Sequence, residues 1–263
     1  MRSAFMTFIG LLALSGGPGH VAAQASAPVS AEDSDPRKLG WRTGFPPPPE
    51  KLIMQPVSDY FSFPKLRWTV CHIRELLPTK QVNRGIGSPV PLMYAIDDNI
   101  DDVRFTPSGS DEQMTWRQSL SANYTDGMLI IHKGRVVYER YFGCLDETDQ
   151  HAAMSMTKSL TGLLAEILVA EGKLDDTAKV SSIVPELSSS AFANATVRQV
   201  MDMTTALDYS EDYTDPKADI WTYSAAASPL PKPDGYEGPN GYYEYLQTVA
   251  QDGTCLLYTS PSP

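Results

Sequence analysis

Four residues hold the densest chemistry in this chain: Ser155-Met156-Thr157-Lys158. On a helix, residues three apart share a face, so the hydroxyl and the amine would point the same way. A serine hydroxyl attacks a carbonyl only when a neighbouring base takes its proton. A lysine desolvated by apolar neighbours, or close to another cation, loses enough basicity to take it. The positive end of a helix favours an alkoxide or oxyanion forming beside its N-terminus. The spacing thus points to acyl transfer, with Ser155 as nucleophile and Lys158 as base. On their own, the four residues fit an N-cap serine with a solvent-facing lysine more readily. The surrounding elements have to decide.

Upstream, Gly127-Met128-Leu129-Ile130-Ile131-His132 runs through Lys133-Gly134 into Arg135-Val136-Val137-Tyr138-Glu139-Arg140-Tyr141-Phe142. Two apolar runs around a glycine turn predict a β-hairpin. Both of its faces are mixed, which places it near a sheet edge. Downstream, Leu160, Leu163, Leu164, Ile167 and Leu168 follow the i, i+3, i+4, i+7, i+8 pattern of one buried helix face, and Gly172 ends the run. This helix is expected to lie at the centre of the core with the serine at its N-terminus. A second helix is expected over Val197–Met203, capped by Thr196.

The N-terminus reads as a secretory signal over residues 1–23. Arg2 precedes a short apolar stretch from Phe5 to Leu14, a glycine-proline break follows, and Val21-Ala22-Ala23 offers a cleavage site. That predicts a soluble protein, secreted or periplasmic, with no membrane association after cleavage. A net charge of −11 without a basic run argues against nucleic acid or an anionic membrane surface as partner. Residues 24–96 read as a lead-in and a packed extension. The proline-rich run Trp41–Glu50 is expected to lie as an arm along the surface. The aromatic stretch Phe61–Thr79 is expected to pack as a strand or short helix, with His72 structural. Cys71 and Cys144 are expected to be buried free thiols, with a Cys71–Cys144 pair as the alternative. The four histidines are scattered, and no cluster has metal-ligand spacing, so neither metal nor cofactor is expected.

In this order the segments resemble the penicillin-recognising serine hydrolases, which include class C β-lactamases, DD-peptidases and related esterases. Among these, the chain looks closest to 6-aminohexanoate-dimer hydrolase-like proteins. The resemblance is carried by the hairpin, Ser155-Met156-Thr157-Lys158, Glu171-Gly172-Lys173-Leu174-Asp175, Val184-Pro185-Glu186-Leu187 and Thr196 to Met203. It covers most of Gly44 to Thr254. It implies an α/β (α+β) fold of the β-lactamase/transpeptidase type, with an antiparallel sheet flanked by helices and a helical region, the hydrolase domain spanning 97–254. It also implies a small amide or ester substrate, cleaved through an acyl-serine that water releases. Asp208 to Tyr213 resembles the segment that brings a tyrosine to the site, which makes Tyr213 a candidate substrate-binding residue, whereas Tyr209 reads as structural. Many relatives carry His-Thr-Ser-Gly where this chain has Met203-Thr204-Thr205-Ala206, a departure that counts against a β-lactamase in the strict sense. The alternatives are a DD-peptidase or β-lactamase, and a non-catalytic binding homologue.

The closing residues Cys255–Pro263 break the pattern and read, in one frame, as the end of a sequencing adapter. The expectation is that the native reading stops near Thr254. On that view Tyr258-Thr259-Ser260 imitates the family's Tyr-x-Ser by accident, the basic-Thr/Ser-Gly strand is missing, and the fragment itself is inactive.

Overall fold

The computed structural model describes residues 29–54, 59–83, 85–213, 215–228, 232 and 235–252. The signal segment at 1–23 and the closing stretch at 255–263 lie outside the described residues. The chain divides into two compact units, Met1–Ala152 and Ala153–Pro263. The expected extension at 24–96 belongs to the same unit as the hairpin.

In the first unit, helical turns α1 (Pro36–Leu39), α2 (Leu66–Thr69) and α3 (Ile73–Leu76) precede a short strand β1 (Met93–Tyr94). A two-stranded ribbon, β2 (Arg104–Phe105) with β3 (Met114–Thr115), leads into α4 (Trp116–Ala122). The helix starts where it does because Thr115 accepts from the Gln118 amide while the Gln118 side chain accepts from the Thr115 amide, satisfying two donors at once. The predicted hairpin follows as β4 (Gly127–His132) and β5 (Arg135–Tyr141). Its turn residues Lys133 and Gly134 both have positive φ, at 50° and 75°, the left-handed pair that matches strand twist in a two-residue connection. The sheet order is β1-β5-β4, with β1 parallel to β5. Among the described residues β4 is thus an edge strand, and its Leu129 and Ile131 stand exposed.

One face of β5 is anchored. Val136 and Tyr138 are fully buried. The Tyr138 hydroxyl donates to Asp101, and Arg140 donates to Asp98 and Asp101, both on the 3-10 turn Asp98–Asp102. Burial, then the Asp101 carboxylate, pushes Tyr138 up to about 12, while the Tyr138 hydroxyl holds Asp101 below its usual value.

The aromatic stretch forms the two short helices α2 and α3 around a small core of Ile53, Trp68 and Leu76, with Trp41 and Tyr60 packed against it. Trp41 thus seats the start of the proline-rich arm, while Phe45 within it is fully exposed. The His72 ring lies flat on Trp68, with centroids 3.8 Å apart, and its Nδ1 sits 2.7 Å from the Trp68 carbonyl. Those contacts suit the structural role expected of it.

The cysteine expectation is corrected. Cys71 and Cys144 are joined in a disulfide, with Cα atoms 6.0 Å apart. The fold delivers the turn after α2 and the turn after β5 to one place, within the Cα range that a disulfide spans. A separation of 73 residues leaves no local trace of the pairing. Asp126 sits beside it, only 9% exposed at its side chain, with Oδ1 on buried Arg67 and Oδ2 3.1 Å from His151 Nε2.

The second unit opens with α5 (Met156–Ala170). Its C-terminus closes as expected: Gly172 adopts φ 68°, and the Lys173 amide reaches back to the Leu168 carbonyl. Next come α6 (Val180–Ile183), α7 (Val197–Met201), strand β6 (Leu207–Asp208), α8 (Asp219–Ala227), α9 (Tyr242–Thr248) and β7 (Ala250–Gln251), which pairs with β6. The Thr196 cap is present, again with a reciprocal Gln199 bond. The unit's core is Leu187, Ala191, Phe192, Ala226, Tyr245 and Val249.

That core corrects a second expectation, because α5 contributes nothing to it. No residue of α5 is buried, and Leu160, Leu163, Leu164, Ile167 and Leu168 are 42–63% exposed. Periodicity identifies which face a helix would bury, but burial also needs an element to cover it, and among the described residues none does. A polar tie holds α5 instead. Arg198 on α7 bonds Glu166 of α5 and also Asp176.

Candidate active site

Ser155 occupies the N-cap position of α5, with helical φ and ψ of −66° and −14°. An ordinary cap serine spends its side chain on an amide of its own helix. Ser155 makes no such bond. Its Oγ instead accepts from Lys158 Nζ at 2.8 Å. Ser155 thus stands at the N-cap with Lys158 exposed, but its hydroxyl caps no amide and pairs with the side chain that the three-residue spacing singled out. In this contact the lysine donates; run in the other direction, the same line takes the hydroxyl proton. The first turn is wound tightly by i to i+3 bonds, with the Met156, Thr157 and Lys158 amides on the carbonyls of Ala153, Met154 and Ser155. Met154 sits just before the serine at φ 45°, a left-handed conformation that costs an L side chain on the order of 1 kcal/mol. Such a turn presents the serine at a sharp corner, as sites that must expose a nucleophile commonly do. Ser155 is half-buried and Lys158 exposed, so desolvation of the amine, part of the sequence argument, is not a feature of these residues as placed.

Tyr213 lies on the loop between β6 and α8. Its hydroxyl donates to Glu211 at 2.5 Å, and its ring meets Trp221 edge-on at 6.0 Å. Burial and the Glu211 carboxylate push it up to about 12, so at neutral pH it is a hydrogen-bond donor rather than a base. The structure brings Ser155 and Lys158 together; Tyr213 is held through Glu211 and Trp221. Tyr209 packs against the unit's core and meets Tyr223 edge-on at 6.4 Å, as a structural residue would. Thr205 and Ala206, in the segment that departs from the family pattern, are buried. Within the proline-rich stretch 228–239, residues 229–231 and 233–234 lie outside the described residues. The left-handed Met154 is the feature of the site that sequence reasoning missed, and the only available signal is its position at the junction before a helix.

The sequence signature of the Beta-lactamase family matches residues 117–249, half of the chain, and spans the hairpin, the Ser155–Lys158 helix and the Thr196-capped helix. A 6-aminohexanoate-dimer hydrolase from Paenarthrobacter ureafaciens is 32% identical over 194 residues, covering 72% of this chain and 46% of that protein. A solved structure from Bacillus anthracis, assigned by name as a 6-aminohexanoate-dimer hydrolase, superposes with a TM-score of 0.66 at 27% identity, covering 75% of this chain and 51% of its own. The chain therefore spans about half the length of the relatives it matches. The mixed α/β architecture and the resemblance read from the sequence agree with all three.

Proposed function

The chain belongs to the Beta-lactamase family, and on that premise we propose that the full-length protein it is part of is an exported serine hydrolase that opens a small amide or ester through an acyl-serine. Ser155 Oγ attacks the carbonyl carbon as Lys158 Nζ takes its proton. The lysine then returns that proton to the departing amine or alcohol, and water releases the acyl group by the same exchange. Tyr213, whose hydroxyl proton is held by Glu211, offers its ring and the lone pairs of its oxygen to bound substrate. The observation that carries this reading is the 2.8 Å contact between Lys158 Nζ and a Ser155 hydroxyl withheld from helix capping. Export rests on the signal-like residues 1–23 and fits the Cys71–Cys144 disulfide, a bond that persists in oxidising compartments.

A fluorophosphonate probe tests the nucleophile. Labelling is expected on Ser155 and is expected to vanish in Ser155→Ala. Lys158→Met should slow it by on the order of a hundredfold or more, the usual worth of a positioned base. Labelling that survives Ser155→Ala, or a Lys158→Met chain labelled at the parent rate, would remove the mechanism. The relatives' names suggest the amide of 6-aminohexanoate dimer as first substrate. Faster turnover of a chromogenic cephalosporin would move the assignment to a β-lactamase or DD-peptidase.

A further inference from the structure

The fold assembles a second cluster, well apart in kind from the serine chemistry. Cys71, Cys144 and His151 bring their ligand atoms within 4.8 Å of one another. Asp126 completes the group, with Oδ2 3.1 Å from His151 Nε2 and 4.0 Å from Cys144 Sγ. Sequence spacing concealed it, because the members come from the turn after α2, the residue before β4, the turn after β5 and the segment before α5.

Each donor is held by something other than the cluster. His151 Nδ1 sits 2.9 Å from the Ala152 carbonyl and donates to it, which leaves Nε2 as the atom facing the sulfurs and the carboxylate. Asp126 spends Oδ1 on Arg67 and turns Oδ2 inward. The Ala152 amide bonds the Val70 carbonyl at 2.7 Å, tying the histidine strand to the cysteine turn. Gly143 adopts φ 54°, and a Cβ there would come within 2.3 Å of Asp126 Oδ1 and 2.8 Å of Arg67 Nη2, so only glycine lets the carboxylate close in beside Cys144. Metal ligands oriented by outer hydrogen bonds of this kind are the usual construction of a metal site.

We propose that the dithiol form of the Cys71–Cys144 pair is a binding site for a borderline-soft divalent cation, Zn2+ in the first instance, with Cys71 Sγ, Cys144 Sγ, His151 Nε2 and Asp126 Oδ2 as its four ligands. Two thiolates, an imidazole and a carboxylate match the tetrahedral donor set of zinc. The disulfide and the metal exclude each other. A dithiol donor delivers two electrons and two protons to the paired sulfurs and is itself closed to a disulfide. Zn2+ then displaces the two thiol protons and the Nε2 proton into solvent. Tetrahedral ligation needs the sulfurs about 3.8 Å apart, from two Zn–S bonds of about 2.3 Å. With Cα atoms 6.0 Å apart, rotation about the cysteine side chains supplies that opening without moving the backbone. His151, about a third exposed, leaves the metal a way in. A newly made chain carries the dithiol form until it meets an oxidising compartment, so the site would be a property of the protein before export.

The test uses the full 263-residue chain, with Cys255→Ser as background so that the remaining thiol neither reshuffles nor ligates. Reduced with a phosphine under argon and freed of reductant, it should take one equivalent of Zn2+ from a chromophoric chelator; the oxidised chain should take none. Co2+ in place of Zn2+ should show sulfur-to-metal charge transfer. Cys71→Ser should abolish uptake, and His151→Gln should weaken it tenfold or more. If reduction loosens the fold, Zn2+ should restore the circular dichroism of the oxidised chain, since binding then drives folding. The proposal is overturned if the reduced chain takes up no metal, or if uptake is the same in Cys71→Ser or His151→Gln.

Discussion

Tyr138 shows how much a single hydroxyl can be asked to do. It is fully buried on β5, yet its Oη reaches Asp101 on the 3-10 turn Asp98–Asp102. The pair makes a signed prediction about pH. Tyr138 is raised from 10.0 to about 12, so its contribution is complete below pH 10 and is lost as pH rises towards 12. Asp101 is lowered from 3.8, so its contribution is complete above that value and is lost as pH falls through the lower folded value. Tyr138→Phe should therefore destabilise the chain by about 1–3 kcal/mol between pH 4 and 10, the worth of a hydrogen bond to a charged group. The gap should close towards both extremes. Urea titrations of the two chains at pH 3, 7 and 11 check this; a gap constant across the three would assign the loss to packing instead.

At the scale of elements, what the sequence disclosed and what it withheld divide by range. The β4–β5 hairpin is announced by Lys133-Gly134, because the turn's left-handed pair is a local demand. The starts of α4 and α7 are written in Thr115-x-x-Gln118 and Thr196-x-x-Gln199, and the end of α5 in Gly172. The pairing of Ser155 with Lys158 is likewise contained in three residues of helical spacing. What lies over a helix is not local, and there the reading of α5 as a core element fails. That difference can be measured within one unit. Leu187→Ala, in the core, should cost about 2–5 kcal/mol. Leu164→Ala, at 63% exposure, should change stability by less than about 0.5 kcal/mol. Equal losses at the two positions would show that α5 is covered in solution.

For the molecule as a whole, the covalent tie between residues 71 and 144 outweighs any single contact. Cross-linking residues 73 apart removes about 4 kcal/mol of unfolded-chain entropy by the loop-closure relation. Cys144→Ser should therefore lower stability by about 2–4 kcal/mol, read as a drop in the denaturant midpoint with a steeper slope, since the freed unfolded chain exposes more surface. A shift below about 1 kcal/mol would mean that the unfolded chain already holds the two turns together. The sequence offered the Cys71–Cys144 pair only as the alternative to free thiols, and it gave no sign of the neighbours Asp126 and His151, since their proximity is a product of the finished topology.

Gly143 carries this dependence into genetics. Every single-base missense change out of a glycine codon installs a Cβ, and at this position that atom lands on the carboxylate shared by Arg67 and His151. The codon thus has no conservative neighbour. A lineage that keeps the clasp must keep that one residue unchanged, while the flanking Phe142 and Cys144 remain free to be judged by what their side chains do.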